Sequence, residues 1–524
     1  MINNWMVPRN KRKLYPVIDI LSLFSLQNLG DVWRHDLGRQ LDFEAELERM
    51  GIKRTGERRD QRAGGARTYE AWLYALGLIF HDTAASTVRN TLAGEALLNG
   101  ENPVPIITNQ LMKLQYPSPY SMRSGVNINR RFQIRPFRFL LRLLMDDNIQ
   151  YLTKREIGYF VMTEVENESN QCFEHVVQRI LDYRENGESV IPENFGELYP
   201  SSRNTTHTRT KEEAMTSLAD TANTFINFIE YTQLVVRNSR TEPIYIPAHR
   251  RAEVRAILND GTSVRPINTN HQYWEENFQR NYGLAPGGTR DNRNFNNQQT
   301  ITDQLYRERR VRSEYLHIAG TRPITRITTS LINEIATVTG FSENQVEVAL
   351  QGFRPDTFSI FETSYLNMAI SGTELAREFE IATHHIFELL GFRSRHIGTN
   401  PLNPDIYVSS SMHTFEGIID TKAYRSYSLT NDHRNRMINN YIPEWRNRSV
   451  SLSFFMYVAD GFGGNIDSQI QQVAEASGTN GCAITARDLL YLLQKHLTSP
   501  IEHYKLNNIF QYNIRIGIPE IESL

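Results

Sequence analysis

Lysine is scarce in this chain: 48 of its 57 basic residues are arginine and nine are lysine. Between Lys211 and Lys495 only one lysine occurs, Lys422, in the run Gly417-Ile-Ile-Asp420-Thr-Lys422-Ala423-Tyr424. A guanidinium is a rigid fork that stays protonated, whereas an ammonium is compact and has a tunable pKa. Scarcity therefore argues against a generic charge as the role of Lys422. Cysteine is almost absent. Cys172 and Cys482 form no metal-ligand spacing and no disulfide framework, which suits a reducing compartment. No apolar run approaches 18 residues, and Met1 to Lys13 is polar and basic without an apolar stretch. A membrane span and a secretory leader are therefore not expected, and a cytoplasmic location is. The formal net charge is only −2, so any charge that binds nucleic acid must be local. Gly461-Phe-Gly-Gly464 lacks the Gly-Lys-Ser/Thr ending of a phosphate loop, and no Gly-x-Ser-x-Gly or His-Glu-x-x-His is present. His384, His385, His413 and His433 therefore read as ordinary polar or packing residues.

What is present is a multidomain pattern, since 524 residues exceed what one core holds. No internal repeat is visible. Residues 1–282 read as mainly α, with helices over Thr68–Phe80 and from Lys211 to about Leu234, a capping box at Thr153 and Glu156, and short extended pieces between them. That outline suits winged-helix-like units or a plain helical bundle. Residues 283–300 are rich in Gly, Pro and Asn and read as a linker. A helical connector follows over 301–368, and an α/β domain over 369–524. From Lys113 to Arg142 there are seven basic residues and no acid, with aromatics interleaved. Lys113, Arg123, Arg130, Arg131, Arg135 and Arg138 are the candidates for contact with phosphates; the alternative is a solvated helical face.

In the last domain, Ser371-Gly-Thr-Glu374 reads as a capping box opening an amphipathic helix that Gly391 ends. Pro404-Asp405 leads a short strand, and Phe415 to Lys422 forms a second. Further strands are expected over Val450–Val458 and Gly481–Thr485, three or four in all. Side chains alternate along a strand, so Asp420 and Lys422 share a face and Thr421 points away. Two carboxylates on neighbouring strands suit a hard cation such as Mg²⁺, which can activate water beside a phosphodiester. An ammonium there can orient the water and offset charge on phosphate. As a bare pattern, Asp…Asp-x-Lys is weak, and a surface ion pair would produce it too.

Pro404-Asp405…Asp420-Thr421-Lys422 resembles the PD-(D/E)-x-K nuclease signature. Gly417-Ile-Ile-Asp-Thr-Lys-Ala-Tyr424 resembles the FokI-type cleavage domain of Type IIS restriction endonucleases. The likeness extends over Glu380, Gly391 to Gly398, Glu444-Trp445, Gly463 to Ile466, Asn480 to Ile484 and Asp488-Leu-Leu, about 371–496 in all. The separation of Asp405 from Asp420 is shorter than the family pattern. More loosely, Leu92-Ala-Gly-Glu-Ala-Leu, Lys113-Leu-Gln-Tyr-Pro117 and Leu152-Thr-Lys-Arg-Glu-Ile157 resemble the recognition regions of the AlwI and PleI/MlyI group. The resemblance implies Asp405 and Asp420 as ligands of Mg²⁺ (Mn²⁺ substituting) and Lys422 as the residue that positions water. Glu380 and Glu416 are auxiliary candidates. It further implies double-stranded DNA as substrate, cutting at a fixed distance outside an asymmetric sequence, and a bacterial cytoplasm. A homodimer through the nuclease domains, or a higher oligomer, would cut both strands, with the helix about Thr430–Tyr441 pairing the copies. A companion DNA methyltransferase would protect the host. A strand-specific nicking subunit and a non-catalytic DNA-binding regulator are the rival readings.

Overall fold

The computed structural model describes every residue except 54–61, 124, 201–208, 238–242, 296–301, 399–402, 413 and 448–451. His413 and part of the expected linker thus lie outside the described residues. The chain divides into two compact units, one of Met1–Arg237, Thr241–Leu316 and Thr329–Asp356, the other mainly of His317–Thr328 and Thr357–Leu524.

In the first unit, helices Val17–Asn28, Leu37–Arg49 and Gly64–Ala75 precede an antiparallel hairpin of Ile79–His81 with Val88–Asn90. The helix anticipated over Thr68–Phe80 therefore starts earlier and stops at Ala75. Gly77 turns at φ +67, which a residue without Cβ adopts freely, and Ile79 and Phe80 enter the hairpin. The capping box of Thr153 and Glu156 is formed, and so is one of Thr210 and Glu213 opening Lys211–Tyr231. Ile244–Tyr245 pairs with Tyr151–Leu152. Residues 283–295 pack within this unit. Leu284 is buried, Phe295 lies 5.7 Å from Phe80 between ring centroids, and Arg293 pairs with Asp291 and Glu95. Of the helices beyond 301, Thr329–Thr339 and Glu343–Leu350 belong to this unit and Thr357–Ala369 to the other.

The second unit is built on a mixed six-stranded sheet. In chain order its elements are α1 (Ala376–Leu389), β1 (Arg393–His396), β2 (Ile406–Ser409), β3 (Glu416–Thr421), α2 (Asn431–Arg436), β4 (Leu452–Ala459), α3 (Ile466–Ser477), β5 (Gly481–Thr485), α4 (Ala486–Thr498) and β6 (Arg515–Ile516). The sheet order is β6-β5-β4-β3-β2-β1, antiparallel from β1 to β3 and parallel from β3 to β6. Two more strands are present than the sequence suggests. β1 reads Arg-Ser-Arg-His and β6 has two residues, so neither carries an apolar run. The capping box at Ser371 is not formed either. Gly372, at φ +65, opens a 3-10 turn, and the Ser371 hydroxyl accepts from Leu375 N at 3.2 Å before α1 begins.

Strand alternation gives the sheet two apolar faces. Ile419, Phe454, Met456, Val458, Cys482 and Ile484 pack with Phe379, Ile386, Leu489 and Leu493 of α1 and α4. Ile418, Phe455, Tyr457 and Ala483 pack with Met437, Ile442, Trp445, Ile470 and Val473. β3 is buried along its whole length, which puts any charge it carries inside the protein. Among the described residues no helix is long and apolar enough to cross a membrane.

Candidate active site

Asp420 is the penultimate residue of β3, two positions on from Ile418, so it faces the side of the sheet that Tyr457 faces; Tyr457 is its partner on β4. Lys422 N donates to Val458 O at 2.7 Å, which keeps the backbone extended beyond the strand end. The period of two therefore persists, and Lys422 Nζ reaches Asp420 Oδ2 at 2.7 Å. Asp405 stands just ahead of β2. Its carbonyl accepts from Ile397 N at 2.8 Å, and its Oδ2 accepts from Thr421 N at 2.6 Å and Thr421 Oγ1 at 3.0 Å. Thr421, the residue pointing away from the Asp420–Lys422 face, is thus what anchors the other carboxylate.

The charges are strongly coupled. Burial and then the neighbouring Asp420 push Asp405 well above the ordinary aspartate value, with Glu380 adding to the rise; Lys422 and Thr421 N oppose it. Burial works against a charged Lys422, but Asp420 and Asp405 outweigh it and raise its pKa. Two carboxylates facing one ammonium leave an excess of negative charge that a bound cation would relieve. The donors are all carboxylate oxygen, and the Tyr457 hydroxyl beside Asp420 is buried without a partner. Both observations fit a hard divalent ion.

The remaining candidates separate clearly. Glu380, on α1, accepts from or pairs with His396 Nε2 at 2.9 Å and is close enough for its charge to act on Asp405. Glu416 is at the opposite end of β3, four residues or roughly 13 Å from Asp420 at about 3.3 Å per residue. It is buried against Tyr407, whose hydroxyl burial and Glu416 together push up to about 12. Three residues without a motif also surround the pair. Tyr427 Oη meets His433 Nδ1 at 2.7 Å, and both sense the Asp420 charge, as does Tyr441. The only sequence signal for them is the run of aromatics after Lys422.

The basic strip finds acids that its own sequence lacks. Arg123 pairs with Glu70 at 3.0 Å, Arg131 with Glu166, Arg135 with Glu168 at 2.6 Å and Arg138 with Asp260 at 2.8 Å. Lys113 Nζ donates to Leu284 O at 3.1 Å, and burial lowers its pKa to about 8. Arg130 alone of the six is exposed. For these four arginines the compensating carboxylates arrive from distant parts of the chain. Burial raises Glu70, but Arg123 and His81 overcome it and hold it at about 2. Arg123→Ala would strand that carboxylate, and breaking a buried pair costs about 3–5 kcal/mol. The expected result is a lower melting temperature at pH 7. Because Glu70 is depressed, its stabilisation is present above its ordinary value of 4.5 and lost as pH falls towards 2. The deficit of the variant should shrink over that window in melts by circular dichroism.

Residues 74–340 match the AlwI restriction endonuclease family, and residues 340–517 match the FokI cleavage domain. Two solved structures also align over 99% of both chains. One is the restriction endonuclease FokI, at 16% identity and a TM-score of 0.29; the other is FokI bound to DNA, at 14% and 0.30. Comparison with curated proteins gives no match.

Proposed function

The chain belongs to the AlwI restriction endonuclease family, and we propose on that footing how its site cuts DNA. It is a Type IIS endonuclease, hydrolysing phosphodiester bonds of double-stranded DNA at a fixed distance outside an asymmetric sequence. The observation that carries the catalytic assignment is the contact of Lys422 with Asp420 at 2.7 Å, on a strand whose next residue holds Asp405. Asp405 and Asp420 would hold the divalent cation, Mg²⁺ or in its place Mn²⁺, which when bound supplies Lewis-acid polarisation of the phosphate and an activated water. Lys422 keeps its ammonium charged against both carboxylates. From there it orients the attacking water and offsets the charge that develops on the phosphoryl oxygens. Thr421 fixes Asp405 through two hydrogen bonds, so the carboxylates keep their spacing through the step. Glu380 tunes Asp405 from α1, and Glu416 is assigned no part in the step.

Recognition is assigned to residues 1–282, with 283–300 as a linker whose first part, 283–295, is packed against the recognition part, 301–368 as connector and 369–524 as the nuclease. Three helices followed by the hairpin Ile79–His81/Val88–Asn90 support a winged-helix-like unit at the start of the recognition part. One such site cuts one strand, so two copies would act together through the helix around Thr430–Tyr441. A companion methyltransferase and a bacterial cytoplasm complete the proposal.

Incubation of supercoiled plasmid with the full chain, with Mg²⁺ or EDTA, tests this. Linear product in Mg²⁺ alone is expected, with sequenced ends at a constant offset from one asymmetric site. Glu416→Gln should cleave at nearly the wild-type rate. Absence of cleavage in both Mg²⁺ and Mn²⁺ would sink the enzyme reading, and nicked circles alone would favour the single-strand subunit.

A further inference from the structure

Two of the histidines that the sequence suggests are ordinary polar residues, His384 and His385, lie beside a carboxylate on one helix. They are adjacent on α1, and Glu388 follows one turn later. Spacings of three and four residues place side chains on neighbouring parts of one helical face. His385 Nδ1 lies 2.7 Å from Glu388 Oε2, and His384 Nε2 lies 3.6 Å from Glu388 Oε1. The two imidazole centroids are 4.9 Å apart, inclined by 43°. Three donor atoms, one from each residue, all lie within 4.8 Å of one another. We infer that His384, His385 and Glu388 form a binding site for a transition-metal ion of the Zn²⁺, Ni²⁺ or Co²⁺ class.

The donor set decides the class of ion. Two imidazole nitrogens and one carboxylate oxygen suit borderline transition metals, whereas Mg²⁺ prefers oxygen alone. The two sites of this unit are therefore chemically orthogonal. Around a tetrahedral Zn²⁺ with bonds of about 2.0–2.1 Å, ligand atoms stand roughly 3.3 Å apart, so the three donors, now within 4.8 Å of one another, would close on the ion by side-chain rotation. Three protein ligands leave a fourth position for water. The other ring nitrogen of His384 already has the partner that metal-ligating histidines use to fix their orientation: Nδ1 meets Ser394 Oγ of β1 at 2.7 Å. All three residues are at least partly open to solvent, so an ion can reach them.

The test is titration of the full chain with Ni²⁺ or Zn²⁺ in millimolar Mg²⁺, by calorimetry and by thermal unfolding. Wild type should take up one equivalent and unfold at a higher temperature with the ion than without. His385→Ala and Glu388→Gln alter accessible positions, and each should weaken uptake at least roughly ten-fold, the scale of losing part of a metal's ligation. Neither should show the ion-induced rise in melting temperature. Uptake and melting shifts retained in both variants would place the ion elsewhere and overturn the site. So would competition by Mg²⁺, which would point to Asp405 and Asp420. Both readouts are independent of DNA cleavage, so failure here leaves the nuclease assignment standing, and the reverse also holds.

Discussion

Lys422→Arg should fold and retain DNA binding yet cut about 10³-fold more slowly than wild type, the scale of losing one preorganised charge donor at a transition state. The substitution keeps the positive charge between Asp405 and Asp420, so it does not leave their repulsion uncompensated. What it changes is shape and hydration. The ammonium offers three rotatable donors on a point charge that fits 2.7 Å from Asp420 Oδ2. A guanidinium in the same buried space is planar and larger, and it tends to clamp a carboxylate with two parallel bonds. It would hold Asp420 in a bidentate grip that moves the cationic centre away from the place where the ammonium would meet water. Lys422→Ala should lose at least as much activity and some stability too, because it removes the charge. Single-turnover plasmid cleavage with saturating Mg²⁺, alongside gel retention on the target duplex, separates chemistry from binding. A Lys422→Arg rate within ten-fold of wild type would remove Lys422 from the chemistry.

Asp405→Asn should shift activity and stability in opposite directions. Cleavage should fall by about 10³-fold or more, since a carboxylate proposed to hold the cation becomes a neutral amide. In EDTA, however, the variant should be the more stable protein, by roughly 0.5–2 kcal/mol, the usual gain when a strained active-site group is relieved. Asparagine keeps an oxygen to accept from Thr421 N and Oγ1, the two bonds that now fix Asp405. It drops the repulsion from Asp420 and Glu380 that raises Asp405. The sign with pH follows. An acid whose folded-state pKa is raised holds a proton that the unfolded chain has released. Its native state is favoured at low pH and loses stability as pH rises from the ordinary aspartate range through the raised value. Wild type and Asp405→Asn should therefore melt alike in acid and diverge as pH climbs through that window. Mg²⁺ should then raise the wild type and leave the variant unmoved. A variant less stable than wild type at pH 8 in EDTA would contradict the account.

Legibility in the sequence followed the physics of each element. β3 and β4 were readable because buried strands are continuous apolar runs, and Lys422 because its residue type is rare in this chain. β1 was not readable, since Arg393 to His396 alternate between exposed and half-buried positions and offer no apolar side chain. Asp405 could be picked out by its Pro-Asp step. Its anchor, Thr421, could not, because that hydrogen bond joins residues 16 apart. The partners of the arginine strip are hidden in the sequence for the same reason: the distance from Arg123 to Glu70 is 53 residues and from Arg138 to Asp260 is 122. Local composition reports which charges a segment carries, and only the fold reports which of them are already neutralised. The winged-helix outline remains part of the proposal, supported by one hairpin after three helices.

Those internal pairs bear on how the enzyme will respond to ionic strength. Each cation that displaces counterions from a phosphate contributes about 0.9 to the slope of log K against log salt concentration. Seven basic residues over 113–142 would by count add roughly six to that slope. With Arg130 the one exposed member of the six candidates, and Arg142 engaged by Glu168 O and Asn170, the strip should add about one. Affinity for DNA should then survive moderate salt better than the arginine content suggests, with site discrimination resting on contacts that counterions do not screen.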